Sequence, residues 1–292
     1  MGTFLPNLFY SVTRFGRMVK FSHTIFALPF ALASTALAAQ GHGITFGQII
    51  AIVLAMVGAR TAAMGFNRIV DRHLDAKNPR TAQRELPTGQ VSLGAATLLT
   101  LLSIGVFLAA AAWLGPLCLG LSPVVLVLIL GYSYTKRFTW LCHLVLGLAI
   151  GIAPLAAWIA VRGEMAAPPV WLMMAVVTWI GGFDILYALA DEAFDRGASL
   201  HSIPVRFGVT RALIISALLH LGTLVALVAV GLAAELGLIY FTGVILVGAI
   251  FIWEHSLVRP RDLSRLNLAF FNLNGYVATI YFVATLAEVF LG

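Results

Sequence analysis

"ITFGQIIAIVLAMVGARTAAMGFNRIVDRHLDAKNPRT" (residues 44–81) joins two unlike pieces. Residues 44–66 are an apolar run of the length that crosses a bilayer as a helix, about 20 residues. The second piece is charged, and it sets Asp71 and Asp75 four positions apart just past the mouth of that run. On a helix, residues four apart share a face with Cβ atoms ~5–6 Å apart, where like charges repel. The first piece decides the fold class; the second asks what offsets the repulsion.

The rest of the chain repeats the first piece. Its 292 residues are 61% hydrophobic and 10% charged, against about 25% charged in soluble domains. A soluble core cannot absorb that much apolar surface, whereas a bilayer can. Apolar stretches near 22–40, 44–66, 93–113, 117–134, 141–161, 168–190, 210–232, 236–256 and 267–290 predict an all-α integral membrane protein of nine helices. Pro29, Pro123 and Pro154 fall inside them, as membrane helices tolerate. No Ser/Gly-rich linker or charge block divides the chain, so residues 1–292 read as one domain. Cys118 and Cys142 lie in apolar stretches and offer neither a disulfide framework nor a zinc pattern. Arg14, Arg17 and Lys20 before an apolar run with "ALAA" (36–39) have a second reading as a cleavable signal. The long polar stretch ahead of it, with His23 and Pro29, favours a retained helix.

The basic residues set the orientation. With nine spans, the N-terminal segment and every second connection lie on one side and hold 16 of the 18 Lys and Arg. Of the other two, Arg162 lies in an alternate connection and Arg60 within a span. By the positive-inside rule the charged side is cytoplasmic, which places the N-terminus and both acidic motifs there, in a cytoplasmic (inner) membrane. The net charge of +6 therefore reads as topology and predicts no nucleic-acid partner.

A faint repeat organises the charge. "NRIVDRHLD" (67–75) closes the second span and "YALADEAFD" (187–195) the sixth, placing Asn67, Asp71, Asp75 and Tyr187, Asp191, Asp195 at matching intervals. Four spans separate them, which suggests two similar four-helix halves plus one helix, with a shared site near their interface. A divalent cation would offset the repulsion within each aspartate pair. Mg²⁺ suits best, because it prefers one or two carboxylates plus substrate phosphate to a full protein cage. Solvated loop charge explains a single such motif, but not two in equivalent places among only twelve acidic residues.

Two intramembrane charges stand apart. Asp184 precedes Asp191 by seven residues, and Arg60 precedes Asn67 by seven, so each lies on its motif's face about 10 Å deeper at 1.5 Å per residue. A charge at that depth costs about 2.5–3.5 kcal/mol on insertion scales and marks a functional candidate. Arg60 either pairs with Asp184 or grips a carboxylate on a substrate. Arg72, Lys77, Arg80 and Arg84 surround the first motif, and "GYSYTKRFT" (131–139) adds Lys136 and Arg137 on the same side. Topology and headgroup contact alone would explain basic residues without acids; here they alternate with carboxylates, as a phosphate site with metals needs.

"NRIVDRHLDAKNPRT", "RELPTG", "YSYTKRFTWLCHLVLGLAIGIAP" and "FDILYALADEAFDRGASLHSIPVRFG" together resemble the UbiA superfamily of intramembrane aromatic prenyltransferases. The likeness runs from "FSHTIFALPFA" (21–31) to about residue 210. It implies nine membrane helices around a central cavity open to the cytoplasm, with Mg²⁺ bridging both aspartate motifs to a polyprenyl diphosphate. The chain departs from the common NDxxDxxxD form at Arg68, where the first Asp would stand, while Asn67, Asp71 and Asp75 remain. That form looks more like the branch in the futalosine route to menaquinone, or its relatives acting on 4-hydroxybenzoate. Haem, chlorophyll-tail and lipid-forming branches stay open.

The expected chemistry is departure of diphosphate from an allylic carbon and attack by an electron-rich aromatic acid, 4-hydroxybenzoate or a dihydroxynaphthoate. Its barrier is charge separation, lowered by electrostatic stabilisation of the leaving group. Asp71, Asp75, Asp191, Asp195 and Asn67 are the metal candidates. Arg72, Lys77, Arg80, Arg84, Lys136 and Arg137, with Asn67, are candidates for the diphosphate. Arg60, Tyr132, Asp184 and Tyr187 are candidates for the acceptor, the tyrosine faces also able to shield a cation. A secondary transporter or ion channel is the competing class. It would set its acids near the midplane of broken helices, whereas four of the five here lie at cytoplasmic ends.

Overall fold

A computed structural model describes residues 14–19, 27–260, 262–263, 265–266 and 272–292. The helices are α1 (Leu28–Ala39), α2 (Phe46–Lys77), α3 (Leu93–Leu114), α4 (Pro116–Thr135), α5 (Cys142–Arg162) and α6 (Ala167–Ala188), then short α7 (Glu192–Gly197) and α8 (Ile203–Phe207), then α9 (Val209–Ala233), α10 (Leu238–Leu257) and α11 (Asn274–Leu291). Among the described residues eight helices are long and apolar enough to cross a membrane, and α1 is a shorter apolar one. Residues 20–26, with Lys20, His23 and the start of the expected first span, lie outside the described residues, as do Arg261 and part of the start of the last span. Among the described residues the expected count of nine is therefore not reached.

Helix ends follow local chemistry. At the start of α2 the Thr45 side chain accepts from the Gln48 N–H while the Gln48 side chain accepts from the Thr45 N–H, a capping box that satisfies otherwise unpaired donors. Pro79 ends the same helix, because the residue before proline is pushed out of helical geometry; Asn78 is extended, with φ −87° and ψ 118°. At the opposite end of the bundle, α10 begins on a borrowed cap. The Gly237 and Tyr240 N–H groups donate to the Glu288 carboxylate of α11, at 2.7 and 3.0 Å, where a negative charge also suits the helix dipole.

Helices α1, α5, α6, α9, α10 and α11 enclose a hydrophobic core. Phe30 stacks on Tyr281 at 4.7 Å and lies 4.9 Å from Trp179. Some polar groups inside it are paired: Trp179 Nε1 donates to Asn274 Oδ1 (2.6 Å) and Asn274 Nδ2 to Glu254 Oε1 (2.9 Å). Helices α5 and α6 approach so closely that a Cβ on Gly147 would strike the Val177 carbonyl, and one on Gly151 would lie 2.9 Å from that of Met173. Such small-residue contacts replace the hydrophobic drive that lipid removes. Packing crosses the boundary of the two expected halves, since α1 rests on α5 and α11. Helices α2 and α4 lean on α5, α3 packs on α2 and α4, and the four leave space between. Leu98, Leu101, Val127, Leu218, Val225, Ile245 and Ile252 are exposed, an apolar surface that only lipid satisfies.

Candidate active site

The space beside α5 has two storeys. The inner is an apolar cavity of about 350 Å³ among α2, α3, α4 and α5, lined by Ala59, Ala111, Val125, Ala153 and Ala156 among others. The outer, about 280 Å³, is polar and lies between the ends of α2, α4 and α6. Arg60 and Tyr132 line both and mark the junction.

The end of α2 supplies the first motif. Asp71 accepts from Asn67 Nδ2 on one oxygen (2.9 Å) and from Arg137 Nη2 on the other (2.7 Å). Arg137 also donates to the Ser133 and Val70 carbonyls, so it is held against both helices. Asp75 accepts from Arg84 Nη1 at 2.7 Å, and its Oδ2 is buried without a hydrogen-bond partner among the described residues. Arg68 is buried, donating to the Met18 carbonyl at 3.2 Å and reaching Asn67 Oδ1 at 3.5 Å. The residue that breaks the common motif thus ties residues 14–19 to α2.

The second motif is built differently. Helix α6 stops at Ala188, and Leu189–Asp191 is a single 3₁₀ turn before α7. The expected register of Asp191 and Asp195 on one continuous α-helix is therefore broken, because a 3₁₀ turn winds three residues per turn, not 3.6. Asp191 accepts from Asn78 Nδ2 (3.0 Å) and Arg80 Nε (2.8 Å), with a second, short contact to Arg80 Nη2. These bonds join the motifs across the cavity mouth. Burial opposes charge on Arg80, but the hydrogen bond to Asp191 and the neighbouring Tyr187 outweigh it and hold the guanidinium above its ordinary pKa. Its cation also lies 4.5 Å over the Tyr187 ring. Asp195 is buried, lines the cavity, and accepts no hydrogen bond on its carboxylate among the described residues.

Asn67, Asp71, Asp75, Arg80, Arg84, Lys136, Arg137's partner Ser133, Asp184, Tyr187, Asp191 and Asp195 all line the polar cavity or its wall with Arg60 and Tyr132. Arg137 reaches it through Asp71. Two expected residues do not come here. Arg72 folds back to donate to the Ile69 carbonyl at 2.9 Å, and Lys77 is exposed beyond the cavity. Both sit on helical positions turned from the Asp71–Asp75 face.

Asp184 has a partner other than the Arg60 that its depth suggested. Its Oδ2 lies 2.7 Å from His143 Nδ1. The Ile203 N–H donates to His143 Nε2 at 3.2 Å, so that nitrogen holds a lone pair and Nδ1 carries the proton given to Asp184. His143 and Asn78 were legible only as a histidine within an apolar span and an Asn-Pro turn; neither signal names a partner.

The oxygen-rich donor set suits a hard cation. Among the described residues no three of His, Cys, Asp and Glu converge to cage a metal unaided. Asp75 Oδ2 and the Asp195 carboxylate instead stand open on the cavity, as suits Mg²⁺, which needs only one or two carboxylates when phosphate completes its shell.

Known proteins carry the same architecture. A UbiA homolog from Aeropyrum pernix K1, solved in its apo form, superposes with a TM-score of 0.83 at 33% identity, over 91% of this chain and 98% of that one. A UbiA homolog from Archaeoglobus fulgidus bound to GPP and Mg²⁺ shares the fold at 19% identity, TM-score 0.69, over 94% of this chain and 99% of that one. The 4-hydroxybenzoate octaprenyltransferase of Vibrio cholerae serotype O1 is 35% identical over 243 residues, 82% of this chain and 84% of its own. That of Vibrio atlanticus is 32% identical over 270 residues, 92% and 93%. The transporter reading gives way to that of an integral membrane prenyltransferase. Residues 27–276 match the UbiA prenyltransferase family, and the chain belongs to it.

Proposed function

We propose that this chain transfers a polyprenyl group from polyprenyl diphosphate to 4-hydroxybenzoate in quinone biosynthesis, with Mg²⁺, from the cytoplasmic face of an inner membrane. One observation carries the reading: a polar cavity bounded by both aspartate motifs opens onto an apolar cavity, with Arg60 and Tyr132 at the junction. The relatives' names favour the benzoate. Arg68, at the position where the motif departs from its common form, keeps dihydroxynaphthoate as the second acceptor to test. Residues 1–292 act as one domain in this reading.

The diphosphate lies in the polar cavity and the prenyl chain in the apolar one. Asn67, Asp71, Asp75, Asp191 and Asp195 would hold Mg²⁺, which supplies Lewis-acid stabilisation of the leaving diphosphate. Arg80, Arg84, Lys136 and Arg137 offer charge-assisted hydrogen bonds to its oxygens. Arg60 grips the acceptor's carboxylate with its planar fork, so the ring faces the allylic carbon at the junction. Tyr132 and Tyr187 present ring faces to the developing cation. The walls of the apolar cavity keep water from capturing it.

Purified protein offered 4-hydroxybenzoate and dihydroxynaphthoate in parallel with a polyprenyl diphosphate tests this by mass spectrometry of products. The expected result is a prenylated hydroxybenzoate, dependent on Mg²⁺. Prenylated naphthoate alone moves the assignment to the menaquinone branch, and no product from either acceptor overturns it.

A further inference from the structure

The pair His143–Asp184 has a built geometry that diphosphate binding does not use. Asp184 lines the polar cavity along with Arg60 and Tyr132, and its side chain is 23% exposed. One oxygen is spent on His143 Nδ1. The other, Oδ1, accepts no hydrogen bond among the described residues. His143 is itself pinned: nearly fully buried on α5, it accepts the Ile203 N–H from α8 on Nε2, which fixes the proton on Nδ1. Three elements therefore hold one carboxylate with one free oxygen toward the cavity.

A carboxylate in that position needs a proton donor. With Arg60 holding the acceptor's carboxylate, as in the proposed function, the hydroxyl of a para-hydroxy acid projects from the opposite end of the ring. We infer that Asp184 Oδ1 accepts the phenolic proton of the aromatic acceptor during attack, and that His143 is the positioning residue that aims it. Proton removal gives the ring phenolate character, which raises electron density at the carbon ortho to oxygen. That carbon forms the new C–C bond to the allylic carbon as the C–O bond breaks, its electron pair leaving with diphosphate. The ring is then a cyclohexadienone. The hydrogen on the newly bonded carbon passes to the released diphosphate, and its electron pair restores aromaticity as the oxygen takes back the proton from Asp184. One proton is lost overall and Asp184 returns to its starting form.

This rests on the proposed phenolic acceptor, and the experiment separates the two. Wild type, Asp184→Asn, His143→Asn and His143→Phe are compared on 4-hydroxybenzoate and on ring-fluorinated analogues with more acidic hydroxyls. Asp184→Asn is expected to lower kcat roughly a hundredfold, the smaller end of general-base effects, with KM for the prenyl donor unchanged, which also reports an intact fold. The ratio of wild-type to variant rate should shrink as the phenol becomes more acidic, because such a phenol needs less help. His143→Asn, which keeps a donor near the Nδ1 position, should retain most of the activity that His143→Phe loses. A ratio that does not vary with phenol acidity overturns the proton-accepting role, and equal losses in both His143 variants overturn the aiming role. Absence of any product with wild type overturns the acceptor reading and this inference together.

Discussion

At the residue scale, each carboxylate's partners say what its loss should do. Asp71 and Asp191 accept from side chains of both motifs' surroundings, so Asp71→Ala and Asp191→Ala should abolish prenyl transfer, with several kcal/mol of transition-state stabilisation lost. Membrane insertion should survive, since neither side chain packs the core. EDTA should stop wild-type turnover and Mg²⁺ restore it; activity within tenfold of wild type in both variants refutes the metal reading. Arg72 and Lys77 give the contrast. Turned from the cavity, their alanine variants should stay within about twofold, the range of ordinary surface changes, while Lys136→Ala and Arg137→Ala impair donor binding or turnover. Steady-state rates in one membrane preparation rank all four. Arg60→Ala should raise KM for the acid far more than for the prenyl donor. Paired acceptors with and without the carboxylate decide it, and an unchanged preference for the acid makes Arg60 structural.

At the element scale, most helices were legible because a bilayer-length apolar run has few other uses. The α2 motif was legible too, since a regular helix carries Asp71 and Asp75 through on one face. The residues of the second motif were legible but its backbone was not, because the 3₁₀ turn at Leu189–Asp191 leaves no sequence mark: hydrophobic periodicity does not register the shift of one hydrogen bond. Long-range partners were equally hidden. Arg80 lies 111 positions from Asp191, and His143 lies 41 from Asp184, so only the packing of α2, α5 and α6 brings them together. That packing depends on Gly147, one turn from His143, against the Val177 carbonyl. Gly147→Val should force α5 from α6, costing about 1–3 kcal/mol as overpacking does. Thermal unfolding in detergent should show a lower midpoint, and turnover should fall with it. An unchanged midpoint and rate would mean the two helices do not need this contact.

At the scale of the whole molecule, the two storeys divide labour between water and lipid. Charged groups gather where the motifs meet, and the apolar cavity continues inward from Arg60 and Tyr132. A bulky side chain in that lower storey should shorten the donor the protein accepts and leave the chemistry intact. For Ala153→Phe the expected result is a selective fall in kcat/KM for long polyprenyl diphosphates, with geranyl diphosphate little changed. Competition between the two donors, read by product mass, measures it. An equal fall for both places the prenyl chain elsewhere.

The shared cap between α10 and α11 makes the protein's biogenesis asymmetric. A ribosome delivers α10 before α11, so the Gly237 and Tyr240 N–H groups enter the membrane without the carboxylate that later satisfies them. The opposite end of α11 carries Asn274, which joins Trp179 to Glu254. One late segment thus closes both rims of the bundle, and the hairpin of α9 and α10 stays provisional until it arrives. Nascent chains stalled short of α11 should be cut by protease near residues 234–237, and chains that include it should resist.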